Sequence, residues 1–140
     1  DLPLSRGLGD VYKRQSKWKK ISGVTSLLQG KWLMSGRVRG KTERRRDTNQ
    51  PRKTMKILVD GYFQWIAFNT DTFSFMGTGG GSYTAKNGTY KEKIDYFSRD
   101  NKKVGISLSF SYSKKGQDWH HKGFSSKGDP IHEIWGFRNP

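Results

Sequence analysis

Cysteine is absent from the sequence. That excludes disulfide bridges and thiolate catalysis, and it removes the usual compositional clue to redox compartment. Proline is scarce, at four residues, and acids are few: 12 against 27 lysines and arginines, a formal net charge of +15. So basic a chain is drawn to anions, but the charge says little about its fold. Long hydrophobic runs are missing too, and none approaches the ~20 apolar residues of a membrane span. No window of useful length shows a 3.6-residue apolar period, which leaves only residues 16–29 for a short helical lead-in. What is plentiful is glycine, at 17 residues, and aromatic side chains, at 14%. Such a composition predicts many short strands and tight turns.

The clearest strand is VGISLSFSYS, where Ile106, Leu108, Phe110 and Tyr112 alternate with serines. Period two with one apolar face marks a half-buried antiparallel strand. TYKEKIDYF behaves alike, with Tyr90, Glu92, Ile94 and Tyr96 on one face. Before it stands SYTAKNG, and Asn87-Gly88 is a strong two-residue hairpin signal. That turn sets Tyr83 opposite Glu92 on the inward face. KTMKILVDGYFQWIAF predicts a second hairpin around Asp60-Gly61. A two-residue turn there pairs Val59 with Tyr62 and puts Trp65 outside beside Lys56. One extra loop residue reverses every side chain. Trp65 is expected inside, because a bare Trp on a wet strand face is uncommon.

Further strands are expected over 30–39, 72–79, 118–126 and 131–138, with turns at Lys115-Gly116 and at Gly128-Asp129-Pro130. Eight or nine strands with short connections suggest an up-and-down barrel, since closure removes aggregation-prone edges. A barrel of about eight strands has room for one small ligand.

Residues 1–15, DLPLSRGLGDVYKRQ, have no apolar period. Back-translated, they resemble the mosaic-end adapter and handle used in shotgun sequencing libraries. The resemblance implies a metagenomic source and a native N-terminus, with any signal peptide, outside this sequence. The expected organisation is a non-native leader over 1–15, a lead-in over 16–29 and a barrel over 30–138.

Gly30-Lys31-Trp32 opens the first strand and resembles the G-x-W start of lipocalins and their calycin relatives. In that motif the Trp closes one end of the barrel and a basic residue of the last strand stacks across it, a role that falls here to Arg138. More specific is the run RKTMKIL…F.W…GTGGGSYT..NGTY.E.I.YFSRDNKKVG…DWHHKG.SSKGDPI.EIW, from Arg52 to Trp135. It resembles a family of small lipocalin-like domains of unknown function from exported bacterial proteins. The resemblance covers most of residues 27–138. It implies an all-β, antiparallel lipocalin-like barrel and a periplasmic or extracellular location, and it names no ligand or reaction. The basic stretch Arg37 to Arg46 is unusual for such domains.

Several motifs invite a site. GTGGGS, residues 77–82, lacks the Gly-Lys-Ser/Thr ending and following helix of a phosphate loop, and reads as a bend at a barrel corner. His120, His121, His132 and Glu133 suggest a metal, but neighbours on a strand face opposite sides. At most His121 and Glu133 turn inward, short of a zinc ligand set. No metal or cofactor is implied. The inward set is Trp65, Tyr83, Tyr90, Glu92, Phe110, His121 and Glu133. A carboxylate facing a barrel interior carries a desolvation cost unless it is bonded. These groups therefore either satisfy one another, or orient a ligand in a mostly apolar cavity, or poise Glu92 or His121 as a base. No nucleophile–base–orienter arrangement supports the last, so the chain is expected to bind rather than catalyse. The expected partner is a small apolar or amphipathic molecule. The stretch 37–53 reads as a solvated basic loop carrying Arg37, Arg39, Arg44, Arg45 and Arg46. It could meet an anionic surface or glycan. A nucleic-acid binder of single strands would expose aromatics on that face, whereas the alternation buries them.

Overall fold

The structure, a computed structural model, describes residues 25–139. Among these residues there are nine strands: β1 (Gly30–Arg39), β2 (Thr42–Arg45), β3 (Arg52–Val59), β4 (Tyr62–Asn69), β5 (Ser74–Lys86), β6 (Thr89–Phe97), β7 (Ser107–Lys115), β8 (Asp118–Phe124) and β9 (Pro130–Phe137). Each strand from β3 to β9 pairs antiparallel with the next, and β9 returns to β1, which also pairs with β3. Eight strands close the barrel. The short β2 lies on the same edge of β1, beyond the stretch that β3 occupies.

The turns follow from their residues. Asp60-Gly61 and Asn87-Gly88 all have positive φ, the two-residue turn whose twist suits a hairpin. Asn87-Gly88 pairs Lys86 with Thr89 and Tyr83 with Glu92, as the sequence implies. Asp60-Gly61 also makes a two-residue turn, pairing Val59 with Tyr62 and Lys56 with Trp65. The extra loop residue expected there is absent. Trp65 still faces inward, because Lys56 faces inward with it. The rule that lysines stay wet misplaced the whole hairpin face.

Three bulges change which residues face the core; opposite β4, Met76 is extra and Phe75 is exposed. Opposite β9, Ser35 is an extra residue between Met34 and Gly36, so the alternation resumes with Arg37 turned to the inner side. In β6, Asp95 is extra between Ile94 and Tyr96. Tyr96, expected inward, is therefore exposed, and Phe97 packs edge-on against Trp65 at 5.6 Å. The glycines of 77–82 do not separate two strands but lie within one, β5. A β-carbon on Gly79 would stand 2.5 Å from Trp65 Nε1, so this glycine makes the room the indole occupies.

The core is densest at the end bearing the hairpin turns 60–61 and 87–88. Trp32 is fully buried and meets Trp119 and Phe137 edge-on at 5.5 and 5.2 Å. Its Nε1 donates to Leu28 O at 2.7 Å, and buried Leu28 helps seal that end. Arg138 does not lie across Trp32. Phe137 faces inward, so the pleat turns the next residue out, where an Arg138 nitrogen reaches Met55 Sδ at 3.1 Å. The cation over Trp32 is Lys114, at 5.8 Å. Of the lead-in only residues 25–29 are described, and they form a turn closed by Gln29 N–H to Ser26 O. The leader over 1–15 lies outside the described residues.

Candidate functional site

The opposite end of the barrel holds a cavity of about 330 Å³. Its floor comes from mid-strand residues: Lys56 of β3, Phe110 of β7, His121 of β8 and Trp135 of β9, all buried. One wall is apolar, with Trp65, Phe97 and Leu108. The other is basic, where Arg37, Arg46 and Arg52 stand exposed at the rim. Glu92 and Glu133, with Thr54 and Ser125, complete the polar lining. Polar and charged side chains share the lining with apolar ones, a make-up that can orient an amphipathic small molecule.

Lys56 is the unexpected member. Its side chain is only 5% exposed, and its ammonium sits over four rings: Trp135 at 4.8 Å, Trp119 at 5.2 Å, Tyr90 at 5.8 Å and Phe63 at 6.0 Å. Ring quadrupoles offset part of the cost of desolvating the charge. Among the described residues its nitrogen has no hydrogen bond, and the only ion pairs are those of Arg45 with Glu43 and Asp118. Beside it, His121 is 2% exposed and stacked on Phe110 with ring centres 3.9 Å apart. Burial, then the charge of Lys56, drives the His121 pKa well below the ordinary histidine value, so the ring is neutral near pH 7. The Nδ1 of His121 and the indole N–H groups of Trp119 and Trp135 are buried without partners.

Glu92 is held. Tyr90 donates its hydroxyl to Glu92 Oε2 at 2.9 Å, and burial followed by the nearby carboxylate pushes the Tyr90 pKa well up. Tyr83 sits opposite Glu92 in register, but its hydroxyl bonds Ser26 Oγ at 2.8 Å instead. Tyr83 stacks on Tyr90 at 5.5 Å and belongs to the closed end, not to the cavity lining. Tyr90 lies beneath Lys56 rather than in the wall. Of the seven inward residues, Trp65, Glu92, Phe110, His121 and Glu133 meet around the cavity.

The basic stretch is not a loop throughout. Residues 36–39 pair with 42–45, so the first part of 37–53 is a hairpin. Arg39, Arg44 and Arg45 line a cleft of about 260 Å³ together with Arg37 and Arg46. Arg45 is engaged by Asp118 at 2.9 Å, while Arg37 and Arg46 also reach the barrel cavity. The Arg46 pKa is lowered by burial and then by Arg37 and Arg52, with Glu133 opposing. His120 Nδ1 and His132 Nε2 lie 3.0 Å apart, on the face opposite His121 and Glu133. Among the described residues no three His, Asp or Glu side chains converge as a metal set.

Sequence reading missed Lys56, Arg52 and Phe97 as cavity residues. One signal was present for Lys56: a two-residue Asp-Gly turn makes it the direct partner of Trp65, so an inward Trp65 carries Lys56 inward too. Nothing local signals the bulge that delivers Phe97.

The chain is similar to a lipocalin-like protein from Bacteroides uniformis of known crystal structure, with a TM-score of 0.53 and 15% sequence identity. The match covers 79% of this chain and 98% of that one. At that identity the likeness concerns the fold alone, which is a lipocalin-like barrel. No family model matches the sequence, and no curated protein matches it.

Proposed function

We propose that this barrel is a non-enzymatic binder of a small, partly apolar molecule, received in the cavity at its open end. The observation that carries the reading is the cavity itself: about 330 Å³ with an apolar wall of Trp65, Phe97 and Leu108 beside polar and charged side chains. The lipocalin-like fold is compatible with the same reading. The resemblance to exported bacterial proteins supports a site of action outside the cytoplasm. The arginine hairpin is secondary in this reading, because the cleft it forms is lined, among the described residues, by no aromatic residue on which a single-stranded nucleic acid would stack.

The test uses Trp65 as its reporter. Octan-1-ol, titrated into the protein, should shift its tryptophan emission and raise its melting temperature, as binding to the folded state requires. Native mass spectrometry of the purified protein should show a retained small molecule released on unfolding. No emission shift, no stabilisation and no retained mass would overturn the proposal in favour of an interaction domain.

A further inference from the structure

We infer that the cavity selects an organic acid with an apolar body, whose carboxylate meets the Lys56 ammonium at the cavity floor. The inference rests on the ligand-binding reading above and narrows it to one charge class.

Three features lead there. First, Lys56 is buried among four rings with no hydrogen bond or ion pair among the described residues. Ring faces compensate a buried ammonium only in part, whereas a carboxylate within bonding distance supplies the missing counter-charge. Secondly, the indole N–H of Trp135, a cavity-lining side chain, is buried without a partner among the described residues. An indole N–H can only donate, so it suits an acceptor rather than a donor ligand. Thirdly, the cations are segregated. The cations come from β1, from β3 and from the segment between β2 and β3, as Arg37, Arg46, Arg52 and Lys56. The apolar wall comes from β4, β6 and β7. An amphiphile with its acid group on Lys56 therefore lays its body along the wall that begins beside it at Trp65 and continues through Phe97 and Leu108.

The cavity's own carboxylates do not supply the missing partner. Glu92 is bonded by Tyr90, and Glu133 stands opposite Arg37 in the β1–β9 register. A cationic ligand is disfavoured on the same grounds. The ring of aromatic faces that would attract an ammonium is already occupied by the chain's own ammonium.

Calorimetric titration of octanoate, octan-1-ol and octylammonium, which share one tail, tests the assignment on the full chain. Octanoate should bind about tenfold or more tighter than octan-1-ol, with octylammonium weakest, as expected of a charge-assisted bond. The preference should survive added salt, because a buried pair is poorly screened. Lys56→Met should abolish the preference, so that octanoate binds no tighter than octan-1-ol. Equal affinity for acid and alcohol would overturn the inference while leaving the cavity a ligand site. A preference that persists in Lys56→Met but disappears in Arg52→Gln would place the acid group at the rim, and would overturn it too. Binding of none of the three would remove the ligand-binding reading itself. A measurement on the unmodified protein guards against a variant that fails to fold. Nuclear Overhauser contacts should join the methylene next to the octanoate carboxylate to the Lys56 ε-methylene. Contacts from the terminal methyl instead would reverse the orientation and sink the inference.

Discussion

The ammonium of Lys56 stands 4.8 Å from the centre of the Trp135 ring, inside the barrel and without a carboxylate partner among the described residues. An uncompensated buried charge costs stability, and an apolar side chain of similar shape is often better tolerated. Lys56→Met should therefore leave the ligand-free protein as stable as wild type or more so, by about 1–3 kcal/mol. Urea denaturation checks this. A loss of more than about 1 kcal/mol would show that the rings compensate the charge fully.

His121 gives the barrel a pH dependence of definite sign. Its folded-state pKa lies well below the ordinary value because burial and Lys56 disfavour the imidazolium. The unfolded chain takes up a proton as pH falls below about 6.5, and the folded chain does not. Stability contributed by the neutral ring is thus complete above that pH and is lost on acidification, by up to about 1.4 kcal/mol per unit until the folded-state value is reached. His121→Leu should flatten the stability profile between about pH 6.5 and pH 5 relative to wild type. Parallel profiles for the two proteins would mean that the ring is hydrated.

Gly79 is where Trp65 rests. A β-carbon at this position would stand 2.5 Å from Trp65 Nε1, so Gly79→Ala forces the indole to move. Overpacking of this kind costs about 1–3 kcal/mol. Near-ultraviolet circular dichroism should report the displaced indole, and octan-1-ol binding should weaken with it. An alanine accepted without either change would separate Gly79 from the cavity wall.

At the closed end, Trp32 should dominate. Its indole is fully buried against Trp119 and Phe137, so Trp32→Ala should cost about 3–5 kcal/mol. Lys114→Ala, which removes the cation over that ring, should cost about 0.5–1 kcal/mol. Arg138→Ala should cost no more than about 0.5 kcal/mol, as at an ordinary surface position. A larger loss at Arg138 than at Lys114 would restore the expected stacking partner.

The strand faces around Tyr83, Tyr90, Glu92 and Phe110 are legible in the sequence, because alternation and an Asn-Gly turn are local properties of the chain. Trp119 and His121 can likewise be assigned to one face from the period-two rule alone. What local pattern leaves open is parity across long range. Ser35 and Asp95 are ordinary strand residues in sequence, and only their pairing with β9 and β5 makes each an extra residue. Those two insertions turn Arg37 and Phe97 inward and Tyr96 outward, so they shape the cavity without a local signal.

The all-β class, the hairpin turns and most of the inward aromatic set are thus written in the chain itself, since each depends on neighbours a few residues apart. That Lys56 is a floor residue, and that Arg138 is not a lid, follows only from long-range packing. Hydropathy sends a lysine to water, and nothing local outweighs it. Four rings from β4, β6, β8 and β9, assembled by closure of the barrel, make the interior site in which Lys56 is buried.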